Sequence, residues 1–441
     1  MSTVASPPEV AAAFGWRQGW RYGLMGLPLA FVALPLYVQL PNYYAKTFGM
    51  PLATLGAVLL GARLFDAFID PIIGRWSDRL YAQSVRQVLM WGAVAAGLLA
   101  LGFALLFFPP AAVHQHLVAW ATLSLLMTYL GYSGVSVLHQ SWGAMLGGDE
   151  SQRSRIVAWR EGLGLVGVIL ASIAPVALGL PAAAALLLIA LFVGWWAWRS
   201  APAPFVRHSR DFATPSKRAT LAWSSGQPAS VWLPFFRPQF RALLAVFIVN
   251  GIASAVPATL ILFFVQDRLQ APASTQALFL GSYFVCAALA IPGWLAVVKR
   301  LGLARTWGIG MLLSIATFVF AAGLGAGDVN GFLIVCVLSG IALGTDLTLP
   351  GALLAGTIAT SGDQGRAEGA YFGWWNFATK LNLALAAGVA LPLLSWLGYT
   401  PGARDPAALQ TLTWAYCLLP CGLKLLAASL LYTLILRKKP S

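Results

Sequence analysis

The feature that most constrains this chain is its series of long apolar runs. Twelve are legible, at approximately 22–43, 52–74, 87–108, 114–145, 156–179, 181–199, 240–265, 274–298, 305–326, 330–358, 369–398 and 408–436. At about 1.5 Å of rise per residue, a helix of this length crosses a hydrocarbon core roughly 30 Å thick. Inside that core each backbone N–H and C=O must be satisfied within the protein, which leaves helices or closed barrels. The runs are too long for the strands of a barrel, which need only about ten residues. A soluble domain is about one quarter charged, whereas this chain is 10% charged and 59% hydrophobic. The expected fold class is therefore an all-α integral membrane protein.

The net charge is +14, and its distribution sets the orientation. With the N-terminus inside, 22 of the 28 basic residues fall in inner segments, while the outer loops hold Lys46, Arg268 and Arg404. The positive-inside rule then predicts cytoplasmic N- and C-termini and a multi-pass protein of the cell's cytoplasmic (inner) membrane. The same asymmetry accounts for the basic composition without nucleic acid as a partner. Anionic membrane lipid is the expected partner of the basic face. Residues 1–15 have no basic start before an apolar core, so the first span is expected to act as its own insertion signal. Cys286, Cys336, Cys417 and Cys421 all fall in apolar runs and read as small buried hydrophobes, with no zinc spacing.

One long polar interruption, residues 200–236, divides the spans six and six. It contains Pro202, Pro204, Arg207, Arg210, Lys217 and Arg218 and lacks apolar periodicity, so it reads as a cytoplasmic linker. The domains are then an N-terminal bundle over 1–199 and a C-terminal bundle over 237–441. The halves echo one another: Tyr43-Tyr44 leads to Pro51 as Phe263-Phe264 leads to Pro272, and each proline opens an apolar span with a basic exit. Two six-span repeats related by an axis along the membrane normal make a major facilitator fold of twelve helices. The echo breaks at one place. Fifteen residues after Pro51 stands Asp66; fifteen after Pro272 stands Ala287.

That break lies in Gly61–Arg79, GARLFDAFIDPIIGRWSDR. Arg63, Asp66 and Asp70 share one helical face, at i, i+3 and i+7. Two carboxylates and a guanidinium in a membrane helix are expensive, and persist where they pair, face a wet cavity, or carry protons or ions. Asp78 and Arg79, at the inner exit, can pair and cap helix ends. Span 4 ends in residues 132–142, where His139, Gln140 and Trp142 form a polar patch, and His139 gains functional weight from the acids elsewhere in the bundle. In the C-terminal half, Lys380 lies deep in span 11, and its candidate partners are Asp346, Asp66 and Asp70. Asn376 lies one turn from Lys380, with Trp375 and Thr379 on the adjacent stripe, a set of indole, amide and hydroxyl suited to a sugar-like ligand. Lys424, near the middle of span 12, has no partner that the sequence assigns.

The span-2 motif resembles the signature of the glycoside–pentoside–hexuronide:cation symporters, the melibiose-permease-like branch of the major facilitator superfamily. WREGLGLVG after span 4, GRAEGAYFG before span 11 and the span-11 lysine follow in that family's order. The resemblance implies that Asp66 and Asp70 form the cation site, that Lys380 lies near it, and that Arg160 matches the family's arginine at the start of span 5. There are departures. Span 1 carries no acid, and aligning Trp142-Gly143-Ala144-Met145 with the family's aromatic-Gly-Ala-Leu run puts His139 where that family has a third acid.

The expected function is cation-coupled symport of a small polar, sugar-like solute by alternating access, by a monomer without cofactor. Imidazole nitrogen is a poor ligand for a hard cation, so His139 favours a proton over sodium as the coupling ion, with Na+ at Asp66 and Asp70 as the alternative. His139→Asp is then expected to move ion preference toward sodium. The expected cation-coupling residues are Asp66, Asp70 and His139, with charge balance from Arg63, Lys380 and Asp346. The solute-cavity candidates are Tyr44, Trp142, Arg160, Trp375, Asn376 and Thr379. A lipid or lysolipid transporter of the same fold is the alternative, as is a flux-free sensor. A membrane enzyme is disfavoured, since no nucleophile elbow, zinc spacing or acid-rich metal motif occurs.

Overall fold

The computed structural model describes residues 14–206 and 230–437. Most of the 200–236 linker, including Arg207, Arg210, Lys217 and Arg218, lies outside the described residues. The first span is assembled from α1 (Trp16–Gly23), α2 (Gly26–Leu34), a π-helical turn over Pro35–Gln39, and α3 (Leu40–Phe48). Prolines at 28, 35 and 41 remove backbone donors from this span, and the π turn begins at Pro35. Then follow α4 (Leu52–Gln83), α5 (Val85–Phe107), α6 (Leu117–Met145), α7 (Glu150–Ala177) and α8 (Leu180–Arg199). The second half contains α9 (Pro238–Phe263), α10 (Gln276–Leu301), α11 (Leu303–Ala322), α12 (Val329–Thr360) and α13 (Glu368–Trp396). Its last span comprises α14 (Pro406–Thr413), a π-helical turn over Trp414–Leu418, and α15 (Leu419–Leu431).

Nine of the described helical segments are individually long and apolar enough to cross a membrane. The broken first span, the charge-bearing α4, and α13 complete the twelve-helix major facilitator fold in two bundles.

The element ends follow local chemistry. α4 continues as helix well past the apolar run that ends near residue 74. It stops at Ser84, whose extended backbone (φ −170°) turns the chain and whose Oγ accepts from the Gln87 N–H at 3.1 Å, capping α5. Asp149 caps α7 through the Gln152 N–H at 2.7 Å. One apolar core joins residues of α1–α8, centred on Phe31, Tyr44, Phe103, Tyr129, Trp142 and Trp198. The second half contributes two further cores, around Phe240, Trp307, Tyr371 and Trp375, and around Phe264, Phe332 and Tyr416.

The bundles meet chiefly along α4 and α13. At Gly74 an added Cβ would lie 2.1 Å from the Gly369 carbonyl oxygen, and at Gly373 it would lie 2.6 Å from the Asp70 carbonyl oxygen. Only glycine permits two backbones to approach this closely. The contact lies toward the end of the molecule that carries Arg75, Arg79, Arg86, Arg237 and Lys299, the basic end. Two acids of the first bundle reinforce it. The Asp78 carboxylate accepts the Gly369 and Ala370 N–H groups at 2.6 and 2.9 Å, capping α13. The Glu150 carboxylate accepts the Leu303 N–H at 2.8 Å, at the start of α11. A carboxylate at a helix N-terminus meets both unpaired donors and the positive end of the helix dipole. Asp78 therefore caps a helix as the sequence suggests, but across the bundle interface, in the other half of the chain.

Candidate cation and solute site

One turn above the glycine contact, α4 presents Asp66 and Asp70 to α13. Lys380 Nζ lies 2.7 Å from Asp66 Oδ1 and 2.6 Å from Asp70 Oδ2. The same ammonium donates to Ser133 Oγ of α6 at 2.9 Å and to the Asp66 carbonyl oxygen at 3.1 Å. Ser133 in turn donates to Asp66 Oδ1 at 2.7 Å. Four oxygens, from two carboxylates, a hydroxyl and a carbonyl, thus surround one cationic nitrogen. Asp66 and Asp70 are 3% and 0% exposed, so the carboxylates are desolvated. Two carboxylates facing one ammonium leave an excess negative charge within the set. Asp70 Oδ1 is buried without a hydrogen-bond partner among the described residues. Arg63, one turn before Asp66, is exposed and close enough to act on it electrostatically.

Lys380 thus pairs with both of its span-2 candidates. Asp346, its third candidate and an expected member of the charge balance, lies elsewhere, paired with Lys424 Nζ at 2.9 Å. Asp346 also accepts from Trp307 Nε1 at 2.8 Å, Asn250 Nδ2 at 3.0 Å and Ser254 Oγ at 3.2 Å, and Lys424 donates to Asn250 Oδ1 at 2.9 Å. This second charge cluster lies wholly inside the second bundle, between α9, α11, α12 and α15.

His139 is also displaced from its expected place. Its Nε2 lies 2.8 Å from the Tyr22 carbonyl oxygen, its ring stacks on Tyr22 at 4.3 Å, and Trp198 meets it edge-on at 5.1 Å. No hydrogen bond among the described residues joins it to Asp66 or Asp70. The reason is helical phase: Ser133 and His139 are six residues apart, about 120° around α6, so the face that carries Ser133 to the acids turns His139 toward α1 and α8. Ser133 therefore stands where the alignment with the related family had put His139.

The solute-cavity candidates divide. Tyr44 is buried in the first core and donates to the Leu106 carbonyl at 2.6 Å; Trp142 is buried there too, with Nε1 on the Pro202 carbonyl at 2.9 Å. Trp375 is buried against α9, its ring stacked on Phe247 at 3.7 Å. These three pack helices together here rather than lining a chamber. Thr379 is exposed and Asn376 half-buried, beside Lys380. Arg160 lies where the two halves meet. It pairs with Glu161 and, with Tyr22, Gln140, Arg153, Gly351 and Phe372, lines a small chamber whose residues come from both halves. Arg153 Nε has no hydrogen-bond partner among the described residues. Tyr22, Arg153 and Phe372 are members that sequence reasoning passed over, because residues from separate spans meet there only through packing, while Gln140 comes from the polar patch of span 4.

A transporter fold is also what comparison with known proteins gives. The MFS/sugar transport protein family matches residues 21–438, and the chain belongs to that family. It is 24% identical over 443 residues to the glucuronide carrier protein homolog of Escherichia coli, covering 93% of this chain and 91% of that protein. It is 24% identical over 456 residues to the isoprimeverose transporter of Lactiplantibacillus pentosus, covering 95% and 88%. Two further matches, both to Escherichia coli proteins named as symporters, span only about a third of either chain. Among solved structures, the Escherichia coli fucose:proton symporter superposes with a TM-score of 0.64 at 16% identity, over 94% of this chain and 97% of that one. The protein is a secondary transporter of the membrane and not an enzyme.

Proposed function

We propose that the protein is a cation-coupled symporter of a small polar, sugar-like solute, and that Asp66, Asp70 and Ser133 hold the coupling cation. The observation that carries this reading is the set of four oxygens around Lys380 Nζ, with Asp70 Oδ1 left over. The ammonium occupies the seat a small cation would take. A cation added to the set while Lys380 shifts aside but stays close, or a proton on Asp70, neutralises the excess charge and loosens the hold of the carboxylates on Lys380. Desolvated closure around an uncompensated charge is costly, so the bundles close when cation and solute are both aboard, and each favours the state that the other needs. In this mechanism the bundles, residues 1–199 and 237–441, rock about the α4–α13 contact, with cytoplasmic termini in the inner membrane and the basic end facing the cytoplasm.

An all-oxygen donor set suits a hard monovalent cation, and with His139 on another face of α6 the argument from imidazole no longer favours a proton. Sodium is therefore the proposed coupling ion. The solute seat extends from Thr379 and Asn376 to the Arg160 chamber, whose guanidinium, amide and phenol groups match a polyhydroxylated ligand. The names of the matched family and of its relatives support a sugar as the ligand class.

The test is uptake and counterflow in proteoliposomes across a panel of sugars and sugar acids, with sodium and pH gradients imposed separately. Sodium-driven accumulation of one member is expected. Accumulation that follows the pH gradient and ignores sodium would make the ion a proton. Absence of counterflow for every solute, including lysolipids, would remove the transporter of small solutes from consideration.

A further inference from the structure

α10 carries a second feature, beside the face that meets the first bundle. Ala287 and Ile291 of α10 pack on Ala158 and Leu165 of α7. On the adjoining face, Cys286, Leu289, Ala290, Gly293, Trp294 and Val297, with Ile341 of α12, line an apolar groove of about 450 Å³. Trp294 Nε1 donates to the Ile341 carbonyl at 2.7 Å and fixes one wall. The groove is open outward: Leu289 is 74% exposed, and nothing lies within 4 Å of a Cβ built on Gly293.

Cys286, Gly293 and Arg300 are spaced by seven, so Arg300 stands at the end of the stripe that lines the groove. Arg300 is exposed. Glu150, the acid that reaches the turn after α10, is committed to the Leu303 N–H. From Cys286 to Val297 the helix rises about 16 Å, near half of a hydrocarbon core roughly 30 Å thick. Arg300 lies about 5 Å further, at headgroup depth.

We propose that this groove binds one anionic phospholipid, an acyl chain lying along Cys286–Val297 and the phosphate on Arg300. Length, polarity and charge agree: an apolar channel one leaflet deep ends in a guanidinium, which takes phosphate oxygens in a bidentate fork. A zwitterionic lipid fills the same groove without net charge to meet Arg300, so headgroup preference is part of the claim.

The experiment is native mass spectrometry of the purified full-length protein titrated with phosphatidylglycerol or phosphatidylcholine. Wild type is expected to retain one phosphatidylglycerol more tightly than any phosphatidylcholine. Arg300→Gln is expected to weaken that adduct by about fivefold, the order for one basic side chain at an anionic headgroup. Gly293→Phe, whose side chain enters open space and so leaves the helix contacts intact, is expected to bind one phosphatidylglycerol fewer. Equal retention of both lipids, or either variant binding phosphatidylglycerol as wild type does, overturns the proposal.

Discussion

The molecule sets two lysines of its spans within hydrogen-bond reach of aspartates, Lys424 buried and Lys380 half-buried, and the two clusters differ in completeness. Around Asp346 the accounts close: one carboxylate, one ammonium, and donors from Trp307, Asn250 and Ser254 on its oxygens. Around Lys380 they do not close: two carboxylates share one ammonium, and Asp70 Oδ1 has no hydrogen-bond partner among the described residues. The first cluster joins four helices of one bundle, so nothing in it must change as the bundles move. The second spans α4, α6 and α13, across the bundle interface that the proposed rocking motion opens. A buried charge that is fully satisfied locks a geometry; one left in excess across a moving interface calls for an ion.

Several variants break or sharpen this contrast. The largest effect is expected at Asp70: Asp70→Asn, like Asp66→Asn, should abolish cation-driven accumulation to background while the protein remains in the membrane, measured by vesicle uptake. Wild-type accumulation in both would move the coupling site elsewhere. Next is Lys380→Ala. Removing one partner of a buried pair leaves uncompensated charge, at about 3–5 kcal/mol, and should lower the thermal midpoint and stop uptake. Pairing it with Asp70→Asn should recover stability beyond the sum of the single changes; strict additivity in the double-mutant cycle would separate Lys380 from the acids.

At the closed cluster, Asp346→Asn should carry a stability loss of similar size. Yet the molecules that remain folded should keep their dependence on the coupling ion, read as uptake per folded protein against cation concentration. A changed ion dependence would give Asp346 a part in coupling. Asp78→Asn is expected to act more weakly, by about 1 kcal/mol, by removing the charge that caps α13. It should favour opening at the basic end, seen as faster labelling of a reporter cysteine placed beside Gly369. The smallest effect is expected at His139, where His139→Gln should leave ion preference unchanged. His139→Asp should destabilise the first bundle by setting a carboxylate against the Tyr22 carbonyl, without the shift toward sodium that the sequence suggests.

Much of this is legible in the sequence alone. Apolar run length gives the spans, and in-membrane charge marks Asp66, Asp70 and Lys380, because hydrocarbon penalises such residues wherever they sit along a helix. The spacing i, i+4 places both acids on one face, and they do meet the same lysine. What misled was alignment without phase. His139 is only six residues from Ser133, but six residues turn a helix to another face. Tyr44, Trp142 and Trp375 look like binding aromatics because sequence shows that a ring lies in a span, not which way it points.

What the sequence by itself determined is therefore what depends on the solvent and on the local chain: a helical membrane protein, a six-plus-six arrangement, a costly charged motif in one half, and helix ends where serine, aspartate and glycine permit them. Only the tertiary structure decided partners: Lys380 with Asp66 and Asp70, Lys424 with Asp346, Asp78 with the start of α13, and Ser133 in place of His139. These choices join residues up to 314 positions apart in the chain. They depend on how close two backbones can come, as at Gly74 and Gly369, and on which face of each helix that contact turns inward.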